Sequence, residues 1–254
     1  MLDMRWRSCR RAGLRLIEVK VLACQLLHGI DFLHTHGLLH HDIKPGNLLV
    51  DRRSYKARLC DFGMVGRLDD SKDTSRNKVG TRAYKAPELL LGALRHNGAV
   101  DLWAAGVSIA EMLKGRRPFL ATHSEQALFN DMCSRLGPPN KGQVAALLPQ
   151  GAPPALKTPP HFGRRHRANP DQTKRLSLRR DPKSPFNKLR RQMFHLLIVR
   201  LLTYDPQRRG SARQASNHHV FDQMRRMDMN PRLPNNRPLP FGRHYFEGRL
   251  PATQ

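Results

Sequence analysis

The segment AVDLWAAGVSIAEMLK, residues 99–114, is apolar on nearly every side and is followed by Gly115. A helix that is hydrophobic all round has to be buried, so the rest of the chain must pack around this one. Two more helices are predicted by helical spacing of apolar residues, over 14–33, where Gly37 suits the end of the helix, and over 186–203. With 254 residues the chain can build a sizeable core. We therefore predict a mainly helical domain with residues 99–114 as its axis.

A polar loop and a hairpin lie between the first helix and the axis. The loop 40–47 is followed by a short apolar strand, LLV (48–50), and then by the turn DRRS. A second strand, YKARLC (55–60), runs directly into DFG. We expect the hairpin to present Asp61 back toward Asp42.

The acid, lysine and asparagine of this loop suit phosphoryl transfer, in which a protein mainly orients a hydroxyl and neutralises phosphate and metal charge. Asp42 can accept the hydroxyl proton, and Lys44 can balance charge on the transferring phosphoryl group. Asn47 can offer a carbonyl oxygen to Mg²⁺. Asp61 supplies a second hard oxygen ligand, which is the type that Mg²⁺ prefers.

The ordered motifs resemble those of the eukaryotic protein kinases. HHDIKPGN (40–47) is similar to their catalytic loop, DFG (61–63) to their magnesium motif and APE (86–88) to the end of their activation segment. GTRAYKAPE (80–88) resembles the loop that positions the substrate. The resemblance covers roughly residues 12–228, and the agreement of several motifs in order makes it specific.

The resemblance implies an α+β, protein-kinase-like fold, with a mainly helical C-terminal lobe and a short β-hairpin at the catalytic loop. It also implies ATP and Mg²⁺ as cofactors, and protein substrates with Ser or Thr acceptors. The catalytic positions that it implies are Asp42, Lys44, Asn47, Asp61 and Thr81. Of these, Lys44, Asn47 and Asp61 would bind the cofactor, and Asn47 and Asp61 would hold the metal.

The same resemblance implies two structural contacts. Glu88 would pair with Arg209 of YDPQRR (204–209), and Asp101 of DLW (101–103) would hold the backbone of the catalytic loop.

Further motifs indicate which subgroup of the protein kinases the chain resembles. Lys44 and Thr81 resemble marks of serine/threonine kinases. APELLLGA, RLGPPN (135–140) and a long proline-rich stretch are similar to the cyclin-dependent and MAP kinase group, above all to cyclin-dependent-kinase-like proteins. Members of that group favour a proline after the target Ser or Thr.

Three positions depart from the group's pattern. His41 stands where an arginine usually grips a phosphate on the activation loop, and a histidine does so only when protonated, near an ordinary pKa of about 6.5. This weakens the case for control by phosphorylation at Thr74 or Ser75. Ala83 and Lys85 replace the common Trp and Arg, which weakens the case for proline-directed specificity.

Kinases also carry an N-terminal β lobe with a Gly-rich loop and a strand lysine paired to a glutamate. Nothing before Leu14 resembles that lobe, so we expect it to be absent and residues 1–254 alone to bind Mg-ATP poorly. Lys20 in EVKVL superficially resembles the strand lysine, but it lies within a helical pattern only 22 residues before Asp42. We predict that it is a solvent-facing helix lysine.

Residues 1–228 are therefore read as one kinase C-terminal lobe. Within it, residues 137–185 hold ten of the nineteen prolines and most of a basic cluster, which predicts an irregular, partly disordered insertion. Residues 229–254 are predicted to form an extended C-terminal tail.

Three classes of function stay open: an active Ser/Thr kinase, a kinase-like binding module without turnover, and a basic nucleic-acid-associated protein on a kinase scaffold. The third rests on the net charge of +25, and salt dependence of binding would expose it. A regulatory protein partner is possible, but a cyclin cannot be inferred because cyclin contacts in the family largely use the N-terminal lobe.

The remaining features bear on location and metals. Four scattered cysteines without a CxxC pair favour a reducing, intracellular setting, in the cytoplasm, the nucleus or both. No apolar run approaches the roughly eighteen residues of a membrane helix, so no membrane partner is expected. The cluster His34, His36, His40 and His41 raises the alternative of a zinc site, which we do not favour because no cysteine or acidic ligand joins it.

Overall fold

A computed structural model gives the architecture of the chain. It describes residues 13–51, 55–68, 80–93, 96–120, 123–147 and 185–225. Thr74, Ser75, the range 148–184 and the tail 229–254 lie outside the described residues, so the predictions made for them stay predictions.

The described part of the chain is rich in helix. Its α-helices, in chain order, are α1 (Leu16–Thr35), α2 (Pro87–Leu90), α3 (Ala99–Lys114), α4 (Glu125–Leu136), α5 (Lys141–Leu147), α6 (Pro185–Leu201), α7 (Pro206–Arg209), α8 (Ala212–Ser216) and α9 (Asp222–Arg225). Short 3-10 turns cover Pro45–Asn47, Phe62–Met64, Arg82–Tyr84 and His219–Phe221. No helix in these ranges is long and apolar enough to cross a membrane.

Helix α3 is the axis of the core, as its all-round apolar sequence predicted. It packs against α1 and α6, and the ring of Trp103 at its centre is completely buried. Gly115 ends the helix with φ 71°, a left-handed conformation that favours glycine, and its N–H donates to the Glu111 carbonyl. The predicted bounds of this helix are confirmed.

Helix α1 is buried on more sides than we predicted. It packs against both α3 and α8. Lys20 is only 6% exposed and its ammonium donates to the Val220 carbonyl at 3.4 Å. The helical assignment of Lys20 is confirmed, but the prediction of a solvent-facing side chain is wrong, because α8 and the turn after it cover that face.

The strands form two antiparallel pairs. Strand β2 (Leu48–Val50) pairs with β3 (Ala57–Leu59) in the predicted hairpin, with Leu48 opposite Leu59. Strand β1 (Leu38–Leu39) pairs with β4 (Gly66–Arg67), a pairing that we did not predict. Strands of two residues are too short to leave an alternating pattern in a sequence.

Helix α5 lies inside the range that we read as an irregular insertion, so that reading is wrong for residues 141–147. Asn140 begins the helix: its side-chain oxygen accepts from the Gln143 N–H and its own N–H donates to the Gln143 side chain, both at 2.9 Å. This reciprocal cap is a helix-start signal that lies directly after the two prolines of RLGPPN.

Candidate active site

The hairpin β2–β3 places Asn47 opposite Cys60, the residue before Asp61. Asn47 directly precedes β2 and Cys60 directly follows β3, so the two residues face each other, and the Cys60 N–H donates to the Asn47 carbonyl at 3.0 Å. Asp61 comes next, with an exposed side chain and a left-handed backbone at φ 65°. A non-glycine residue in this conformation is uncommon and strained, and here it ends the strand and begins the turn Phe62–Met64.

The Asp42 carboxylate collects four hydrogen bonds. Its Oδ2 accepts from the Lys44 ammonium at 2.6 Å and from the Asn47 amide at 2.9 Å. Its Oδ1 accepts from the Thr81 backbone N–H at 3.0 Å and from the Thr81 hydroxyl at 2.8 Å. Lys44 also donates to the Thr81 hydroxyl at 2.8 Å. The structure therefore joins four of the five predicted positions in one network, across 39 residues of sequence.

These bonds keep Asp42 ionised although it is buried. Burial by itself would raise the pKa of the carboxyl. The hydrogen bonds from Lys44, Thr81 and Asn47, together with the charge of Lys44, outweigh burial and lower the pKa below its ordinary value. Asp42 is thus a carboxylate at neutral pH, the form that accepts a proton.

Asp101, at the start of α3, holds the backbone of the loop. Its Oδ2 accepts from the His40 N–H and its Oδ1 from the His41 N–H, both at 2.9 Å, as the kinase resemblance implied. His34 adds a ring contact to Oδ2 at 3.0 Å. Burial would raise the pKa of this carboxyl, yet the bond and charge of His34 and the two backbone N–H groups lower it.

His40 joins Asp42 to the end of the hairpin. Its ring is fully buried, and its Nε2 lies 3.3 Å from the Cys60 carbonyl, while the Asp42 N–H donates to its Nδ1 at 3.3 Å. Because a carbonyl can only accept, Nε2 carries the proton and Nδ1 the lone pair. The ring therefore spans the backbone between Asp42 and the residue before Asp61.

Glu88 and Arg209 form the buried pair that was expected. Arg209 donates to Glu88 through two parallel bonds, at 2.6 and 2.8 Å, and the two side chains are 0% and 5% exposed. Arg209 also donates to the carbonyls of Thr203, Ala99 and Tyr204. The pair ties α2, at the end of the 80–88 segment, to α7.

Ala83 and Lys85, which depart from the group's pattern, are both buried. Ala83 is 2% exposed, so the small side chain lies in a closed environment. Lys85 is buried and its ammonium pairs with Glu125 of α4 at 2.9 Å. Position 85 is therefore engaged with α4.

His41 makes a contact that no sequence signal indicated. Its Nδ1 lies 3.1 Å from the Met64 carbonyl, and its Nε2 lies 2.8 Å from Nε2 of His96. His96 is 55 residues away, and His34 is 67 residues from Asp101. Neither partner could be found from spacing, because both contacts depend on how α1, the loop and α3 pack.

The donor set fits a hard divalent cation and a phosphate. Asn47 uses its Nδ2 to bond Asp42, so its Oδ1 is the side-chain atom available to a cation, and Asp61 adds an exposed carboxylate. Lys44 uses two of its three N–H donors, on Asp42 and Thr81, which leaves a third for a phosphate oxygen.

Comparison with known proteins agrees with this geometry. The family model of the protein kinase domain matches residues 4–221. The chain therefore belongs to the protein kinase family, whose members in general use ATP and a divalent metal.

A curated relative shows the same affiliation. Protein kinase gsk31 of Schizosaccharomyces pombe (strain 972 / ATCC 24843) is 32% identical over 223 residues, which make up 88% of this chain and 53% of the relative. The chain thus spans about half the length of the curated relative that it matches.

Proposed function

We propose that this chain carries the phosphoryl-transfer centre of a serine/threonine protein kinase of the cyclin-dependent-kinase-like type. It would transfer the γ-phosphate of ATP to Ser or Thr hydroxyls of protein substrates. The observation that carries the proposal is the Asp42 network, in which Lys44 and Asn47 bond one carboxylate oxygen and Thr81 bonds the other.

Asp42 is the proton acceptor in this proposal. A carboxylate has about four lone-pair positions, and four donors already occupy them, so a substrate hydroxyl has to displace one. The Thr81 hydroxyl is the donor that can leave at least cost, since it can rotate away while the Thr81 backbone N–H still holds Oδ1. The substrate hydroxyl then donates to Oδ1 and transfers its proton there as the phosphoryl group arrives.

Lys44, Asn47 and Asp61 serve the phosphate side. Lys44 places its remaining N–H toward a phosphate oxygen, while its bond to Asp42 keeps the ammonium close to the reacting hydroxyl. Asn47 and Asp61 would hold Mg²⁺ through oxygen atoms. When bound, that cation supplies charge neutralisation on the phosphates. The backbone hydrogen bond from Cys60 to Asn47 holds Asn47 opposite the residue that precedes Asp61.

The subtype rests on sequence motifs supported by local contacts. APELLLGA and RLGPPN favour the cyclin-dependent-kinase-like group, and the bond between Lys44 and Thr81 supports Ser/Thr acceptors. In the segment 80–88, which resembles the substrate-positioning loop, Lys85 stands in place of the group's common Arg and pairs with Glu125 of α4.

The test is phosphoryl transfer from radiolabelled ATP to protein substrates by the full-length protein. Asp42→Asn should cut the rate by about 10²–10⁴-fold, the usual contribution of a general base, and leave nucleotide binding intact. Asp61→Asn should abolish magnesium-dependent nucleotide binding. Asp31→Asn is the matched control, because Asp31 pairs only loosely with Arg213, at 3.4 Å on the surface of α1. Equal activity in all three variants would refute the proposal.

Two other functions are separated by the same experiments. A kinase-like binding module is supported if wild type binds Mg-ATP or substrate but shows no turnover. A nucleic-acid-associated role is suggested by the net charge of +25. It predicts that the protein binds RNA or DNA and that the logarithm of the binding constant falls linearly with the logarithm of the salt concentration.

A further inference from the structure

Two imidazole nitrogens converge beside the catalytic loop, outside the network of Asp42. His41 lies in the loop and His96 in the segment that leads into α3, and their Nε2 atoms are 2.8 Å apart. The rings meet edge to face, with centroids 5.0 Å apart. Both side chains are partly exposed, so a small ion can reach them from solvent.

The hydrogen bond to Met64 decides which nitrogen of His41 is available. The Met64 carbonyl can only accept, so Nδ1 of His41 carries the proton and its Nε2 presents a lone pair. In this state the Nε2–H of His96 donates to that lone pair. Histidines that bind metals nearly always donate their other ring N–H to a carbonyl or carboxylate, which fixes the tautomer. His41 is therefore already held in the form of a metal ligand.

His41 is also held by its backbone. Its φ is 63°, in the left-handed region that a non-glycine residue seldom adopts, and its N–H is bound by Asp101. Strain of this kind persists only where the surroundings impose it, and it concentrates at functional positions. The direction of the ring is thus imposed by Asp101 on one side and by Met64 on the other.

We propose that His41 and His96 form a two-histidine binding site for a borderline transition-metal cation, with Zn²⁺ as the representative ion. Two nitrogen ligands at 2.0–2.1 Å with a tetrahedral angle are about 3.3 Å apart. The Nε2 atoms, now at 2.8 Å, need to separate by only about half an ångström. Binding replaces the hydrogen bond between the rings, and His96 changes tautomer: its proton leaves Nε2, a proton is taken up at Nδ1, and Nε2 presents its lone pair to the ion.

The site would be distinct from the magnesium position in chemistry as well as in place. Imidazole nitrogen suits zinc, copper and nickel, whereas Mg²⁺ prefers oxygen. In the part of the chain that the structure describes, no group of three or more His, Cys, Asp or Glu side chains could hold a metal. Water would complete the coordination, and the affinity would be lower than in a closed four-ligand site.

A cation at this place would join three segments. His41 belongs to the catalytic loop, His96 to the approach to α3, and Met64 to the turn that follows Asp61. The ion would thus fix the loop relative to that turn, at the position where related kinases use an arginine. This inference does not depend on catalytic turnover.

The experiment is a titration of the full-length protein with Zn²⁺ against a chromophoric chelator, in the absence of nucleotide. His96→Gln and His41→Gln should each lower the zinc affinity at least as much as the roughly 10–100-fold that loss of an outer-shell partner costs. His36→Gln is the matched control, because His36 is an exposed histidine whose ring bonds only the neighbouring Phe32 carbonyl among the described residues. It should keep wild-type affinity.

Two further arms separate this site from the proposed active site. Excess Mg²⁺ should not displace the zinc, and Asp61→Asn should leave zinc affinity unchanged while it abolishes magnesium-dependent nucleotide binding. Wild-type zinc affinity in His96→Gln, or displacement by Mg²⁺, would overturn the proposal. If His41→Gln fails to fold, as shown by its thermal melt, the comparison of His96→Gln with His36→Gln decides the question alone.

Discussion

The guanidinium carbon of Arg209 lies 5.0 Å from the centre of the Trp103 ring. The ion pair of Arg209 with Glu88 therefore rests against the buried axis α3, where a cation over an indole face is stabilised by the ring quadrupole. A guanidinium has five N–H donors, and the Nε, Nη1 and Nη2 atoms of Arg209 together make five hydrogen bonds. The charge is thus fully compensated inside the core.

Removal of Glu88 should destabilise the protein strongly. Glu88→Ala strands the Arg209 charge, which is 0% exposed, and loss of one partner of a buried pair costs about 3–5 kcal/mol. Asp31→Ala is the matched control, since Asp31 pairs with Arg213, whose side chain is 69% exposed, so no buried charge is left without a partner. Urea unfolding measures both variants. If Glu88→Ala unfolds at the same urea concentration as Asp31→Ala, the pair does not carry this energy.

The phosphoryl-transfer rate should depend on the hydroxyl of Thr81 more than on the volume of its side chain. Thr81→Val keeps the volume but removes the acceptor for Lys44, a bond that remains when the Thr81 hydroxyl proton turns away from Asp42. It also removes one bond that lowers the pKa of Asp42 in the resting site, so that pKa should rise toward its ordinary value. We expect the phosphoryl-transfer rate to fall about tenfold or more, because the Lys44 ammonium loses the bond to Thr81 and bonds to charged groups are worth about 1.5–3 kcal/mol. Thr81→Ser should stay close to wild type in the same assay, and a similar loss in both variants would show that the hydroxyl alone does not account for the effect.

Asp101 should make the fold sensitive to acid. Its pKa in the folded state is below the ordinary value of 3.8, although burial alone would raise it. The unfolded chain therefore binds more protons as the pH falls past that value, and the free energy of unfolding decreases with it. The contribution is fully present above the ordinary pKa and is lost as the pH falls through the folded pKa. Asp101→Asn should show a shallower decline of the urea midpoint below about pH 4, and an unchanged decline would exclude Asp101 as its source.

Lys114 should change the free energy of unfolding in the alkaline pH range. Burial, followed by repulsion from Arg116 and Arg135, lowers the pKa of its ammonium from 10.5 to about 8. Between those values the unfolded chain binds more protons, so the free energy of unfolding should rise with pH through this window. Lys114→Met should be more stable than wild type below pH 8 and should lose this rise, whereas Lys114→Arg keeps a charge there. Chemical denaturation on both sides of pH 8 measures the difference, and parallel curves for Lys114→Met and wild type would count against it.

Sequence reasoning succeeded where the decisive contacts are local or belong to recognisable motifs. The hairpin 48–59 and the loop around Asp42 span few residues, and each motif carries its own turn and strand signals. The all-round apolar character of 99–114 is itself enough to predict a buried helix. The contact between Glu88 and Arg209 spans 121 residues, and it was predicted only because the kinase resemblance implied it.

The failures share a different physical origin. Lys20 bonds a carbonyl 200 residues away and His41 bonds a ring 55 residues away. The first contact depends on the packing of α1 against α8 and the turn after it, and the second on the packing of the catalytic loop beside the segment before α3. Neither leaves a periodic trace in the sequence. Lys20 is the one lysine of α1, and most positions around it in that helix are buried. Helical spacing of apolar residues therefore could not show which side of α1 faces solvent.

The hydrogen bonds from the loop to Asp101 have a consequence for hydrogen exchange in the catalytic loop. The amide hydrogens of His40 and His41 point at a carboxylate that is 1% exposed on the central helix. Because the carboxylate that holds them is buried on α3, we expect these amides to meet solvent chiefly when that helix separates from its neighbours. Their exchange with deuterium should therefore be as slow as that of the α3 amides, which report global opening. The site would then keep its shape for as long as the core exists, and local fluctuation would be confined to the surface around it.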